Sequence, residues 1–248
     1  MEQEKETELG GAVALVIGTG ESAAAIAHSL IVAGAQVVLA GEDASSLDGT
    51  LRRLALSGYR VQGDVADCGD KRQVEQLVER MQRVYGKIDI LVNAWEQFEP
   101  SPAENISPDA WQQALRVHIK AVFLACQVVG RLMLRQGAGS IINLSSVAGS
   151  LGFPQTVAFA ACKGGVEQLT RVLGAEWMGR GVRVNAIAAW SDGFQQYDES
   201  GFRPDTRIPL GRYTTPAELG AAAVYLASSA SAAMSGHIMH IDGGYAAQ

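Results

Sequence analysis

Cysteine is scarce in this chain: Cys68, Cys126 and Cys162 are the only ones in 248 residues. They are odd in number and lack the short paired spacings of a zinc site, which fits a reducing compartment and gives no metal ligand set. Basic residues are outnumbered, 20 Lys and Arg against 26 Asp and Glu, for a formal net charge of −6. No stretch gathers Lys and Arg into a patch, so neither nucleic acid nor an anionic membrane surface is an expected partner. Long apolar runs are missing as well. None approaches the roughly 18 residues that span a bilayer, because Gly, Gln or His interrupts the longest. Met1 to Leu9 is charged and mostly acidic, unlike a signal or transit peptide, and reads as a flexible solvated tail. The expected location is the cytoplasm.

What is present is enough apolar side chain, 48% of residues, to build a sizeable core, with 19% charged. Short apolar runs alternate with helical patterns along the chain. Val13 to Ile17 reads as a strand entering a small-residue turn, and Ala23 to Ala33 as a helix stopped by Gly34. The unit recurs: strand Gln36 to Ala40, helix Ala44 to Ser57, short strand Arg60 to Val61, helix Lys71 to Tyr85, strand Ile88 to Asn93. Ser107 can cap a long helix running to about Arg135, followed by a strand at Ser140 to Ser145 and a helix from Ala158 to Met178. Val182 to Ala188, a helix opened by Thr215 and Pro216, and His237 to Ile241 complete the series. Alternation of this kind predicts one α/β domain over residues 10–248, a doubly wound parallel sheet with helices on both faces. Ligands of such sheets bind outside the carboxyl ends of the strands, where the Gly-, Asp- and Ser-rich segment at about 189–210 would form a lid.

Several segments, in this order, resemble the short-chain dehydrogenase/reductases and their Rossmann-type fold. They are Gly63-Asp64-Val65, Ile88 to Asn93, Ile141 to Gly149 (IINLSSVAG), Arg183 to Ile187 and the ending GHIMHIDGGY. The resemblance covers nearly the whole chain. It implies a serine, tyrosine and lysine acting together on a carbonyl, of which Ser146 and Lys163 match and the tyrosine is replaced by Phe159. His118 stands where the family has asparagine. The turn VIGTGESAAAIA is one residue shorter than the family's and keeps Gly18 and Gly20, although it also reads as Gly-x-Gly-x-x-Ala ending at Ala23. The glycines that the family places after its fourth and sixth strands are Trp95 and Trp190 here.

These departures set the functional expectation. Two indoles could fill the space of a nicotinamide, so the first reading is a damaged reductase site with no cofactor. In that reading Lys163, Ser146 and His118 carry catalysis. Phe159, Trp95, Trp190 and Tyr197 line the substrate pocket, Tyr197 as a possible replacement phenol. The reaction would be a cyclisation, isomerisation or dehydration of an oxygenated small molecule, and a tyrosine restored at 159 would not bring back carbonyl reduction. The alternatives are an NAD-dependent oxidoreductase with an altered proton donor, and a non-catalytic binding paralogue. A dinucleotide, if any, would meet Gly18, Gly20, Glu42, Asp64, Val65 and Asn93. It would be NAD rather than NADP, because Glu42 repels a 2′-phosphate and no cation follows it in sequence. The family's helix contacts further imply a homo-oligomer, a dimer or tetramer.

Overall fold

Strict alternation within the strands divides the side chains between two cores. In β1 (Val13–Ile17), Val13, Leu15 and Ile17 join one apolar cluster while Ala14 and Val16 join another on the opposite face. The computed structural model describes residues 8–96, 98–190 and 207–248. Its seven strands form one parallel sheet in the order β3-β2-β1-β4-β5-β6-β7. The others are β2 (Gln36–Gly41), β3 (Gln62–Val65), β4 (Ile90–Asn93), β5 (Gly139–Ser146), β6 (Val182–Ala189) and β7 (Ile238–Ile241).

Helices α3 (Lys71–Tyr85), α5 (Ala121–Gln136) and α6 (Val157–Trp177) bury their apolar sides in the first cluster. Helices α1 (Glu21–Val32), α2 (Ala44–Leu56) and α7 (Pro216–Ala227) cover the second. The sheet reverses order between β1 and β4, whose partners run from Ala14 with Ile90 to Ile17 with Asn93. That crevice is where doubly wound sheets take ligands.

Several features differ from expectation for local reasons. The third strand lies on Gln62–Val65 rather than Arg60 and Val61, because pairing with β2 begins only where Val38 meets Gln62. Its Gln-Gly-Asp composition carries no apolar signal, since an edge strand needs none. The helix expected from Ser107 is α4 (Pro108–Leu115), capped by Ser107 Oγ on the Ala110 N–H, then a π-helical turn at Arg116–Lys120, then α5. From Pro108 to Gln136 this stretch is long and apolar enough to cross a bilayer by length and composition, which corrects the expectation that none is. Yet 67% of its most apolar window is buried within the fold, as in a core helix. Finally, Leu9 is packed rather than solvated, its N–H bonded to Ala33 O at 2.8 Å. The first seven residues lie outside the described ones.

Candidate functional site

Lys163 is the largest fully buried side chain, 1% exposed, and α6 delivers it to the carboxyl end of the sheet. Its ammonium donates to two main-chain carbonyls, Trp95 O just past β4 at 2.5 Å and Leu144 O of β5 at 2.9 Å. Burial drives its pKa down from an ordinary 10.5 to about 8, opposed by the nearby charges of Glu96 and Cys162. Ser146 ends β5 opposite Ala189 of β6, fully buried, with its hydroxyl oxygen accepting from the Ala148 N–H at 3.3 Å.

Phe159, one turn before Lys163 on α6, links this cation to the histidine. Its ring centroid lies 5.3 Å from Lys163 Nζ and 5.4 Å from the His118 ring, which meets it edge-on at 88°. Phe98 packs on the same phenyl ring at 5.0 Å. His118, in the π-helical turn, and Phe159 share a cavity of about 770 Å³ with Ser101, Asn105 and Gln113. Of the expected catalytic and pocket residues, Lys163, Phe159 and His118 thus form one cluster, with Ser146 at the neighbouring strand end.

The two indoles do not share a volume. Trp95 belongs to the core between the sheet and α3, α5 and α6. Trp190 lies in a separate cluster with Phe153, Tyr213 and Tyr245, centroids 4.8 to 5.6 Å away, and its Nε1–H donates to Asp242 O at 3.2 Å. The two rings therefore lie in different clusters and do not close on one space together. Tyr197 and most of the expected lid lie outside the described residues.

The end of β1 suits a dinucleotide's pyrophosphate. Gly18 has φ +137°, and a Cβ there would come 2.3 Å from Ala94 O, so glycine is required for the close approach of β1 and β4. Gly20 has φ +99° with open space where a Cβ would stand, and no side chain caps the N-terminus of α1 that follows. Those free N–H groups are a ready anion site. The negative charge of Glu21 in the first turn is held by Arg53 at 2.6 Å. Val65, at the end of β3 opposite Gly41, is 52% exposed, while Asp64 is held bidentately by Arg80 at 2.7 and 2.8 Å. Asn93 points inward and donates to Asn143 Oδ1 at 2.8 Å.

Two residues were missed by sequence reasoning. Arg116 reaches Glu42 and, at 2.7 Å, Asp67. A cation does therefore stand at the end of β2, brought from 74 positions away, a pairing with no local signal. Glu167 is the other: a buried carboxylate on α6 four residues after Lys163, where an acid one turn from Lys163 on the inner face was a visible clue.

With this geometry in place, comparison with known proteins is direct. A family model described as enoyl-(acyl carrier protein) reductase matches residues 22–246. The chain is 38% identical to a D-threitol dehydrogenase of Mycolicibacterium smegmatis over 96% of its own length and 94% of the relative's. It is 34% identical to a galactitol 2-dehydrogenase (L-tagatose-forming) of Cereibacter sphaeroides, over 96% of each. A crystal structure of a gluconate 5-dehydrogenase from Burkholderia cenocepacia, in complex with NADP and tartrate, superposes with a TM-score of 0.88 at 31% identity, covering 98% of both chains.

These relatives overturn the expectation of a cofactor-independent cyclase, isomerase or dehydratase, because they are named as dehydrogenases and share nearly the whole chain. The expectation of no cofactor falls with it, since a solved neighbour holds NADP, and Arg116 corrects the reading that no cation stands near Glu42. By sheet order, by the paired Ser146 and Lys163, and by likeness along its length, the chain belongs to the short-chain dehydrogenase/reductase family.

Proposed function

We propose that this protein is an NAD(P)-dependent oxidoreductase that interconverts a secondary alcohol of a sugar alcohol or related polyhydroxylated compound with its ketone. The observation that carries this reading is Lys163: a buried cation held by Trp95 O and Leu144 O beside Ser146, in a chain alike along its length to polyol dehydrogenases. Gly18, Gly20 and the open start of α1 would hold the pyrophosphate, with Val65 against the adenine and Glu42 and Arg116 near its ribose. The nicotinamide supplies the hydride acceptor.

In this reading Ser146 holds the reacting oxygen, and Lys163 in its neutral form takes up the alcohol's proton, becoming the ammonium that returns it in the reverse direction. The departure from the family's arrangement is Phe159, which leaves Lys163 to handle that proton without a phenol. The cavity that His118 and Phe159 share is lined by Ser101, Asn105 and Gln113, which offer hydrogen bonds to the hydroxyls of a polyol.

The test is a titration of the protein with NAD⁺ and NADP⁺, followed by a panel of sugar alcohols and appearance of reduced nicotinamide. Binding of at least one dinucleotide and slow oxidation of at least one polyol are expected. No binding of either dinucleotide would remove the proposal.

The assembly belongs to the same reading. Phe123 on α5 and Val157 and Val172 on α6 are 40 to 44% exposed, an apolar surface on the helices that the family uses for subunit contact. Sedimentation at micromolar concentration should show a dimer or tetramer, and a pure monomer would contradict it. A cytoplasmic location remains part of the proposal and accords with three free, buried cysteines.

A further inference from the structure

Glu167 is only 2% exposed, and a buried carboxylate persists only where hydrogen bonds replace its water. Its donors come from two sides of one short segment. Ser145 Oγ donates to Oε1 at 3.0 Å, and Ser150 Oγ donates to Oε2 at 2.9 Å. Between them lie Ser146 and the 3₁₀ turn Val147–Gly149. Arg171, one turn further along α6, adds a contact at 3.4 Å. Gly149 makes the approach possible, since a Cβ there would stand 2.6 Å from Oε1 and 3.0 Å from Ser145 Oγ.

We propose that Glu167 is a positioning residue: it clasps the segment on both sides of Ser146 and ties it to the same helix that carries Lys163, setting the serine hydroxyl against the lysine. Lys163 and Glu167 are one turn apart on α6, so the clasp refers Ser146 directly to the lysine's own helix. Ser145 Oγ also lies 3.4 Å from Lys163 O, so the hydroxyl that Glu167 holds sits against the lysine's own backbone. Without the carboxylate, two hydroxyls lose their acceptor, and the Ser146 oxygen is held only by the turn it caps through Ala148.

The kinetic arm of the test rests on the oxidoreductase reading, and the exchange arm does not. Glu167→Ala should lower kcat for polyol oxidation by about 10²-fold, as a small misplacement does, with dinucleotide affinity unchanged. In a Ser146→Ala background the same change should lower kcat by less than about twofold, because a residue acting through Ser146 has nothing left to position. Glu167→Gln, which keeps an acceptor oxygen for the hydroxyls, should recover most of the rate, and Gly149→Ala should reproduce the loss with the carboxylate in place. In native-state hydrogen exchange, the amides of Ala148, Ser150 and Leu151 should open at least about tenfold faster in Glu167→Ala, with those of Ile141 and Ile142 unchanged.

Full additivity with Ser146→Ala, or unaltered exchange in a folded variant, overturns the proposal. If the wild-type protein oxidises no polyol with either dinucleotide, the functional reading falls, while the exchange result still decides the clasp. Should Glu167→Ala fail to fold, the Gln and Gly149→Ala variants carry both arms.

Discussion

Phe159→Tyr should raise the rate of polyol oxidation by about 10²-fold or more, the usual contribution of a positioned acid or base. The phenyl ring already occupies the place where a phenol would act, 5.3 Å from Lys163 Nζ and 5% exposed. A hydroxyl added to it would have its pKa lowered by the buried ammonium and could exchange a proton with the reacting oxygen. Sequence alone favours the opposite result, because two indoles were expected to block the cofactor. Trp95 and Trp190 instead lie in separate clusters, and a solved relative alike over 98% of both chains holds NADP, which argues against that objection. Steady-state rates for the variant and wild type, with melting temperatures to confirm folding, check the claim. A folded variant no faster than wild type would mean that proton handling at 159 does not limit the proposed reaction.

The second large effect is a loss. Lys163→Met should reduce turnover by about 10²- to 10³-fold, the scale of removing one preorganised donor from a buried site. It should also abolish a step in the pH profile. A group that accepts the alcohol's proton must be deprotonated, so wild-type oxidation rises with pH through about 8 and ketone reduction falls over the same range. Folding carries the matching signature. Below about 8 the lysine is charged in both states and the cost of burying it is complete; between about 8 and 10.5 the folded form is neutral while the unfolded chain still binds the proton. The unfolded state then holds more protons, so stability rises with pH across that window relative to Lys163→Met. A variant that keeps the wild-type pH profile would show that another group titrates.

The fold was legible because buried parallel strands and amphipathic helices write their periods into sequence: Val13–Ile17 and Lys71–Tyr85 are found where the pattern puts them. The edge strand Gln62–Val65 was displaced because half-exposed pairing needs no apolar alternation. Among the candidate site residues, the placement of Lys163, Ser146 and Phe159 near the carboxyl end of the sheet follows from local motifs. Contacts between distant segments do not. Arg116 with Glu42 depends on how a helix crosses the sheet's end, and the direction of the Trp95 ring depends on space left by α5. That last ambiguity turned a dehydrogenase-like chain into an expected lyase or isomerase, since an indole in place of glycine looks like an obstruction until its cluster is known.

The π-helical turn at Arg116–Lys120 has a consequence for insertions and deletions. From this turn one side chain, Arg116, reaches toward Glu42 and Asp67 just past β2 and β3, and another, His118, toward Phe159 beside Lys163. Residues two apart on an ordinary helix point about 200° away from each other, and adjacent ones only about 100°. Removing Val117 would leave an unbroken helix of good composition, yet put the guanidinium and the imidazole on neighbouring bearings, where they could not reach both places. Length variation among related chains should therefore be accepted before Ser107 and after Gln136, and refused in these five residues.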